Sequence, residues 1–218
     1  MKDFDAVVFD MDGVIFDSER AARACWKELA DPYGLKDIDA VYETCIGSNK
    51  ARTKGILFAA YGADFPYEDF DRDVSALYQE RYSGGRLPMK SGVVPLLSFL
   101  KQAGIKIALA SSTRRQRVLP QLCEAGILDY FDAVVTGDMV QKSKPEPDIF
   151  LLACEKIGTA PERCYAIEDS HNGIRAAARG GLRPIMVPDL LPADEEMRSL
   201  SETVKDTLED VKKYLETD

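Results

Sequence analysis

Five short apolar runs, four of them stopping on polar residues, constrain most strongly how this 218-residue chain can fold. Ala6-Val7-Val8-Phe9 stops at Asp10. Ile105 to Ala110, apolar apart from Lys106, stops at Ser111. Ala133-Val134-Val135 stops at Thr136 and Gly137, and Tyr165-Ala166-Ile167 stops at Glu168 and Asp169; the fifth run is Pro184-Ile185-Met186-Val187. Short runs that do not alternate with polar residues fit strands buried on both faces, as in a parallel sheet. Helical periodicity fills the gaps at 93–102, 116–125, 147–157 and 172–179, with Gly104, Gly126, Gly158 and Gly180 as stop signals. From residue 89 onward strand and helix therefore alternate, which predicts an α/β fold with a Rossmann-like, doubly wound parallel sheet.

Residues 18–88 break this alternation. They carry helical stretches, such as 21–29 and 70–82, and no convincing strand, with Ser83-Gly84-Gly85 and Pro88 marking a return hinge. The expected organisation is a core of residues 1–17 and 89–218 with an inserted all-helical cap domain at 18–88. A last helix at 207–215 reads as a surface helix with Leu208, Val211 and Leu215 on one face.

Bulk properties exclude several function classes. Lys and Arg number 28 against 37 Asp and Glu, for a net charge of −9. Nucleic-acid or anionic-membrane binding thus has little electrostatic support. The five cysteines form no C-x-x-C pair, so buried or free thiols in a reducing compartment are favoured over a disulfide framework or a zinc site. The chain opens Met-Lys-Asp-Phe-Asp, without an apolar signal region, and has no apolar stretch of about 18 residues. A cytoplasmic protein is expected, and nothing demands an oligomer, so a monomer is. His171 is the only histidine, which removes Ser-His-Asp, Cys-His and multi-histidine metal chemistry.

In open α/β sheets, ligands bind at the carboxyl ends of the strands near the switch in strand order. Asp10 and Asp12, then Ser111, Ser112 and Thr113, then Lys144, then Glu168 and Asp169 are therefore expected to converge. D-x-D also occurs at 3–5, 37–39, 69–71 and 71–73, but only Asp10-Met11-Asp12-Gly13 directly follows a buried-strand run. The spacing suits nucleophilic displacement at phosphorus. One carboxylate attacks to give an acyl phosphate, and a second, two residues on, protonates the leaving oxygen and later activates water. An anionic nucleophile meeting an anionic phosphate calls for Mg²⁺, with Asp10 and Asp169 as natural side-chain ligands and Glu168 binding or orienting from close by.

Other residues fit less specific roles. Lys144, in Lys144-Pro145-Glu146-Pro147, can offset charge on Asp10 and the phosphoryl group, although a surface lysine before a helix is common and Lys142 lies two residues earlier. Ser111 and Ser112 can cradle phosphoryl oxygens, yet taken alone plain helix capping is the better reading. Lys50 and Arg52 of the insertion can reach a substrate or sit as solvated helix charges. Trp26 reads as core, and His171 as a loop residue near the site.

Together these motifs resemble the haloacid dehalogenase (HAD) superfamily of hydrolases, in its β-phosphoglucomutase-like and phosphatase-like branch. Phe9 to Ser18 is similar to the opening signature, Ser111-Ser112 to the second motif, Lys144 to Pro147 to the third, and Glu168 to Ala177 to the fourth. The resemblance spans nearly the whole chain. It implies a Rossmann-like core, a helical cap, Asp10 as nucleophile and Asp12 as acid/base. It also implies Ser111 and Lys144 as phosphate ligands, and Mg²⁺ at Asp10, the Asp12 backbone carbonyl and Asp169. The branch's mutases carry a histidine in the first cap helix, where this chain has Arg20-Ala21-Ala22-Arg23. The expected function is therefore Mg²⁺-dependent hydrolysis of a small phosphorylated metabolite, a sugar phosphate or similar. A sugar-phosphate mutase and a non-enzymatic phosphate-accepting regulator are the alternatives.

Overall fold

The computed structural model describes residues 2–46 and 50–217, which fall into two compact units. One comprises Met1–Asp17 and Met89–Asp218; the other is Ser18–Pro88.

In chain order the elements are β1 (Ala6–Phe9), α1 (Ser18–Ala30), α2 (Ile38–Cys45), α3 (Lys50–Tyr61), α4 (Tyr67–Tyr82), α5 (Val93–Gln102), β2 (Lys106–Ser111), α6 (Arg115–Glu124), β3 (Ala133–Thr136), α7 (Asp148–Ile157), β4 (Cys164–Glu168), α8 (His171–Arg179), β5 (Arg183–Met186), α9 (Glu195–Leu200), β6 (Thr203–Val204) and α10 (Leu208–Glu216). The six strands form one sheet in the order β3-β2-β1-β4-β5-β6, and each adjacent pair is parallel. The fold is the expected α/β class. β1 lies between β2 and β4, so the chain leaves it toward one side of the sheet and later returns on the other. That reversal opens a crevice at the carboxyl ends of β1, β2 and β4.

Both sheet faces are covered. Ala6 and Val8 point to the face where Ala108, Ala110, Ala166, Ile149, Phe150, Ala176 and Ala177 pack, beneath α7 and α8. Their neighbours Val7 and Phe9 are also fully buried, which the period of a strand places on the opposite face. There α5 packs on β2 and on α10. Leu208, Val211 and Leu215 of α10 are almost wholly buried, so its apolar stripe is part of the core.

The helical unit has its own apolar centre. Ala30, Leu35, Ile38, Leu57, Phe65, Tyr67 and Phe70 are buried together, with Trp26, Tyr33 and Phe58 packed against them. Trp26 meets Tyr42 and Phe70 edge-on, with ring centroids 5.0 and 5.3 Å away. Such aromatic pairs add roughly 0.5–1.5 kcal/mol beyond area burial. No helix among the described residues is long and apolar enough to cross a membrane.

Candidate active site

Asp10 directly follows β1 and is 6% exposed. Its backbone N–H donates to the Ile167 carbonyl at 2.9 Å, which fixes it against the end of β4. The chain then turns sharply: Ile15 and Phe16 N–H both donate to the Met11 carbonyl, and Gly13 N–H to the Phe16 carbonyl. Gly13 makes this turn at φ +79°, and a Cβ built on it would lie 2.2 Å from Asp169 Oδ2. Only glycine satisfies both demands.

Lys144 reaches this pocket from the segment before α7. Its ammonium lies 2.5 Å from Asp10 Oδ1 and 2.7 Å from Glu168 Oε1, and donates to the Ala110 carbonyl at 3.0 Å. It also stands 4.8 Å from the centre of the Phe150 ring. Lys142, two residues earlier, is exposed. Glu168 is oriented from its other side: Oε2 accepts from the backbone N–H and the hydroxyl of Ser170 at 2.8 and 2.9 Å. The carboxylates of Asp10, Glu168 and Asp169 each place an oxygen within 4.8 Å of the others. Residues 134 positions apart in sequence thus share one buried ion pair.

The electrostatics follow from burial and crowding. Burial pushes the Asp10 carboxyl up, the Lys144 ammonium pulls it down, and Glu168 and Asp12 push it up again, leaving it at about 7. Burial also disfavours the Lys144 ammonium, but Asp10 and Glu168 outweigh that and hold it above the ordinary lysine value. Lys144 bridges two of these carboxylates, and Asp169 sets an oxygen beside them. A hard divalent cation is drawn to such a gathering of carboxylate oxygens, which are its preferred ligands. The cluster therefore fits Mg²⁺, and positive charge in it would favour the ionised form of Asp10.

Asp12, two residues on, is partly exposed, and its Oδ2 accepts from the Thr113 hydroxyl at 2.8 Å. Ser111 is fully buried at the end of β2, and its Oγ accepts from Thr113 N–H at 3.1 Å. The Ser112 side chain is exposed. Asp10, Asp12, Ser111, Lys144, Glu168 and Asp169 therefore gather at one end of the sheet. Lys50 belongs to the helical unit, at the start of α3, where its exposed ammonium pairs with Asp71 at 2.7 Å. His171 opens α8, and its Nε2 lies 3.0 Å from the Pro192 carbonyl. Sequence reasoning placed Thr113 at the strand end but gave it no role, and it missed the Ala110 carbonyl altogether. The signal for Thr113 was its position as the third hydroxyl after β2; a backbone carbonyl leaves no signal.

The model of the haloacid dehalogenase-like hydrolases matches residues 4–181, most of the chain and every residue of the cluster. The chain belongs to that family. A phosphorylated carbohydrates phosphatase of Thermotoga maritima is 33% identical over 181 residues, covering 83% of each chain. A β-phosphoglucomutase of Bacillus subtilis is 32% identical over 216 residues, covering 93% of each. Among solved structures, a HAD family hydrolase from Deinococcus radiodurans R1, with bound phosphate and sodium, superposes with a TM-score of 0.83 at 25% identity. That match covers 98% of this chain and 95% of the other.

Proposed function

We propose that this HAD-like hydrolase is a Mg²⁺-dependent phosphatase that cleaves a small phosphorylated metabolite, of the sugar-phosphate class, through an aspartyl-phosphate on Asp10. The observation that carries this reading is the Lys144 ammonium bound to both Asp10 and Glu168, with Asp169 alongside. That arrangement holds a carboxylate at the end of a strand, beside a fixed cation and a divalent-ion set, as attack on a phosphate monoester requires.

The Asp10 carboxylate forms the new bond to phosphorus while the bond to the ester oxygen breaks. Asp12 gives its proton to the departing oxygen. In the second half, Asp12 takes a proton from water, the water oxygen bonds to phosphorus, and Asp10 is released with inorganic phosphate. Lys144 offsets charge on Asp10 and on the phosphoryl oxygens, and buried Ser111 lines the same pocket. Asp10 and Asp169 would hold Mg²⁺, with Glu168 orienting Lys144 or completing the set; the ion supplies charge neutralisation of the phosphoryl group. Residues 18–88 stand as the cap that shapes specificity, with Lys50 a candidate contact.

The similarity to a β-phosphoglucomutase supports a second reading, in which the phosphoryl group returns to the substrate. One experiment separates the two. The protein is incubated with Mg²⁺ and a panel of phosphorylated metabolites, and free phosphate and isomerised product are both measured. Phosphate release that disappears in Asp10→Asn is expected. Isomerisation without release would favour the mutase, and an Asp10→Asn variant with undiminished turnover would remove Asp10 as nucleophile.

A further inference from the structure

Among the described residues, the Asp12 carboxylate has a single side-chain hydrogen-bond partner, the hydroxyl of Thr113, which donates to Oδ2 at 2.8 Å. Thr113 is itself held on both sides of its backbone. Its N–H donates to Ser111 Oγ at 3.1 Å, and its carbonyl accepts from Gly137 N–H at 3.1 Å. Gly137 packs so tightly on this loop that a Cβ there would lie 2.2 Å from the Ser112 carbonyl oxygen. The next residue, Asp138, accepts from Arg115 N–H at 3.0 Å and from the Thr136 hydroxyl at 2.7 Å. The end of β3 therefore clamps the loop after β2 at residues 112, 113 and 115. What the clamped loop presents to Asp12 is one hydroxyl, on a β-branched side chain with restricted χ1.

We propose that Thr113 is a positioning residue for proton transfer: it holds the Asp12 carboxyl in one orientation and leaves Oδ1 as the atom that carries the transferable proton. The inference rests on the reading of Asp12 as acid and base. In the neutral acid, the oxygen that accepts from Thr113 is the carbonyl oxygen, so the proton sits on Oδ1. In the anion both oxygens accept, and the same bond persists. In the first half-reaction the Oδ1–H bond breaks as the ester oxygen takes the proton and leaves phosphorus. In the second, a water proton returns to Oδ1 as the water oxygen joins phosphorus. Thr113 keeps its own proton in both.

The test uses two variants and two substrates. Thr113→Val keeps shape and removes the hydroxyl; Thr113→Ser keeps the hydroxyl. One substrate is an alkyl phosphate, whose leaving oxygen needs a proton. The other is an activated aryl phosphate, p-nitrophenyl phosphate, whose leaving group departs without one. Single-turnover release of the alcohol or phenol isolates the first half-reaction. Thr113→Val is expected to slow the alkyl substrate about 10- to 100-fold, part of what a general acid contributes, with KM changed less than about threefold. The aryl substrate should slow far less, and Thr113→Ser should recover most of the alkyl rate. No loss with Thr113→Val, equal loss on both substrates, or no recovery with Thr113→Ser would each overturn the proposal. Should Thr113→Val lack a cooperative melt, Thr113→Ala is read in the same way. Asp12→Asn run in parallel separates the two levels: if it spares the alkyl substrate, the acid/base reading itself has failed.

Discussion

At the scale of single residues, the pocket depends on one cation that bridges two buried acids. Removing the Lys144 charge with Lys144→Met leaves Asp10 and Glu168 buried together without compensation. Breaking a buried pair in this way costs on the order of 3 kcal/mol. Without the Lys144 attraction, the protonated form of Asp10, already favoured by burial, gains further, so the penalty applies only where Asp10 ionises. The deficit in urea-unfolding free energy should be large near pH 8 and should shrink toward pH 5; a deficit independent of pH would mean that lost packing on Phe150 dominates. Gly13 gives a second expectation. Gly13→Ala combines left-handed strain, roughly 1 kcal/mol, with a methyl group driven into the Asp169 carboxylate. Calorimetric Mg²⁺ titration should show at least about tenfold weaker binding, the size of effect that follows when a ligand's support is disturbed. Most of this site was legible in the sequence, because Asp10, Ser111, Glu168 and Asp169 all stand where apolar runs stop. The Thr113 hydroxyl bond was not, because it depends on two strand ends meeting across 101 positions of sequence.

At the scale of elements, the uninterrupted apolar runs and the longer helical periodicities were the readable part. β1 is Ala6–Phe9 and α5 is Val93–Gln102, with the expected bounds. The far edge of the sheet was not readable. β6 has only two residues, too few for any period, and α9 is a six-residue helix whose core contact is Met197. Nor did the apolar stripe of α10 reveal that α5 covers it. What fastens this edge is a polar hub on the residue before β6. Glu202 accepts from Arg183 of β5 at 2.6 and 2.8 Å, from the Tyr165 hydroxyl of β4 at 2.9 Å and from the Tyr214 hydroxyl of α10 at 2.7 Å. Burial alone would raise its carboxyl, but the bonds from Arg183, Tyr214 and Tyr165 win and hold it at about 2, below an ordinary 4.5. A carboxylate depressed in the folded state stabilises fully above its unfolded value and loses that contribution as pH falls through the folded one. Glu202 is 29% exposed at its side chain, so solvent screening trims the effect to on the order of 1–2 kcal/mol. Glu202→Gln should therefore be less stable than the parent near pH 7, and urea titrations should show the two converging between pH 4.5 and 2.

At the scale of the whole molecule, the division into two compact units decides how a ligand's binding energy is felt. The carboxylates of Asp10, Glu168 and Asp169 all belong to the unit built on the sheet, while the Trp26–Phe70 aromatic centre belongs to the helical unit. A cation that binds only the folded cluster stabilises by about 2.7 kcal/mol at one hundred times its dissociation constant. For a domain of this size that corresponds to roughly 5–10 °C in melting temperature. The unit that gains this energy is the one whose folding assembles the carboxylates from the ends of β1 and β4. If calorimetry resolves two transitions, Mg²⁺ should move the one that carries the sheet and leave the helical one in place. Asp169→Asn should abolish the shift while leaving the Lys144 bridge to Asp10 and Glu168 intact, because that bridge does not pass through residue 169. A Mg²⁺ shift that persists undiminished in Asp169→Asn would place the cation elsewhere among the 37 acidic side chains of this chain, and the strand-end cluster would then not be where a cation meets the charge of a phosphoryl group.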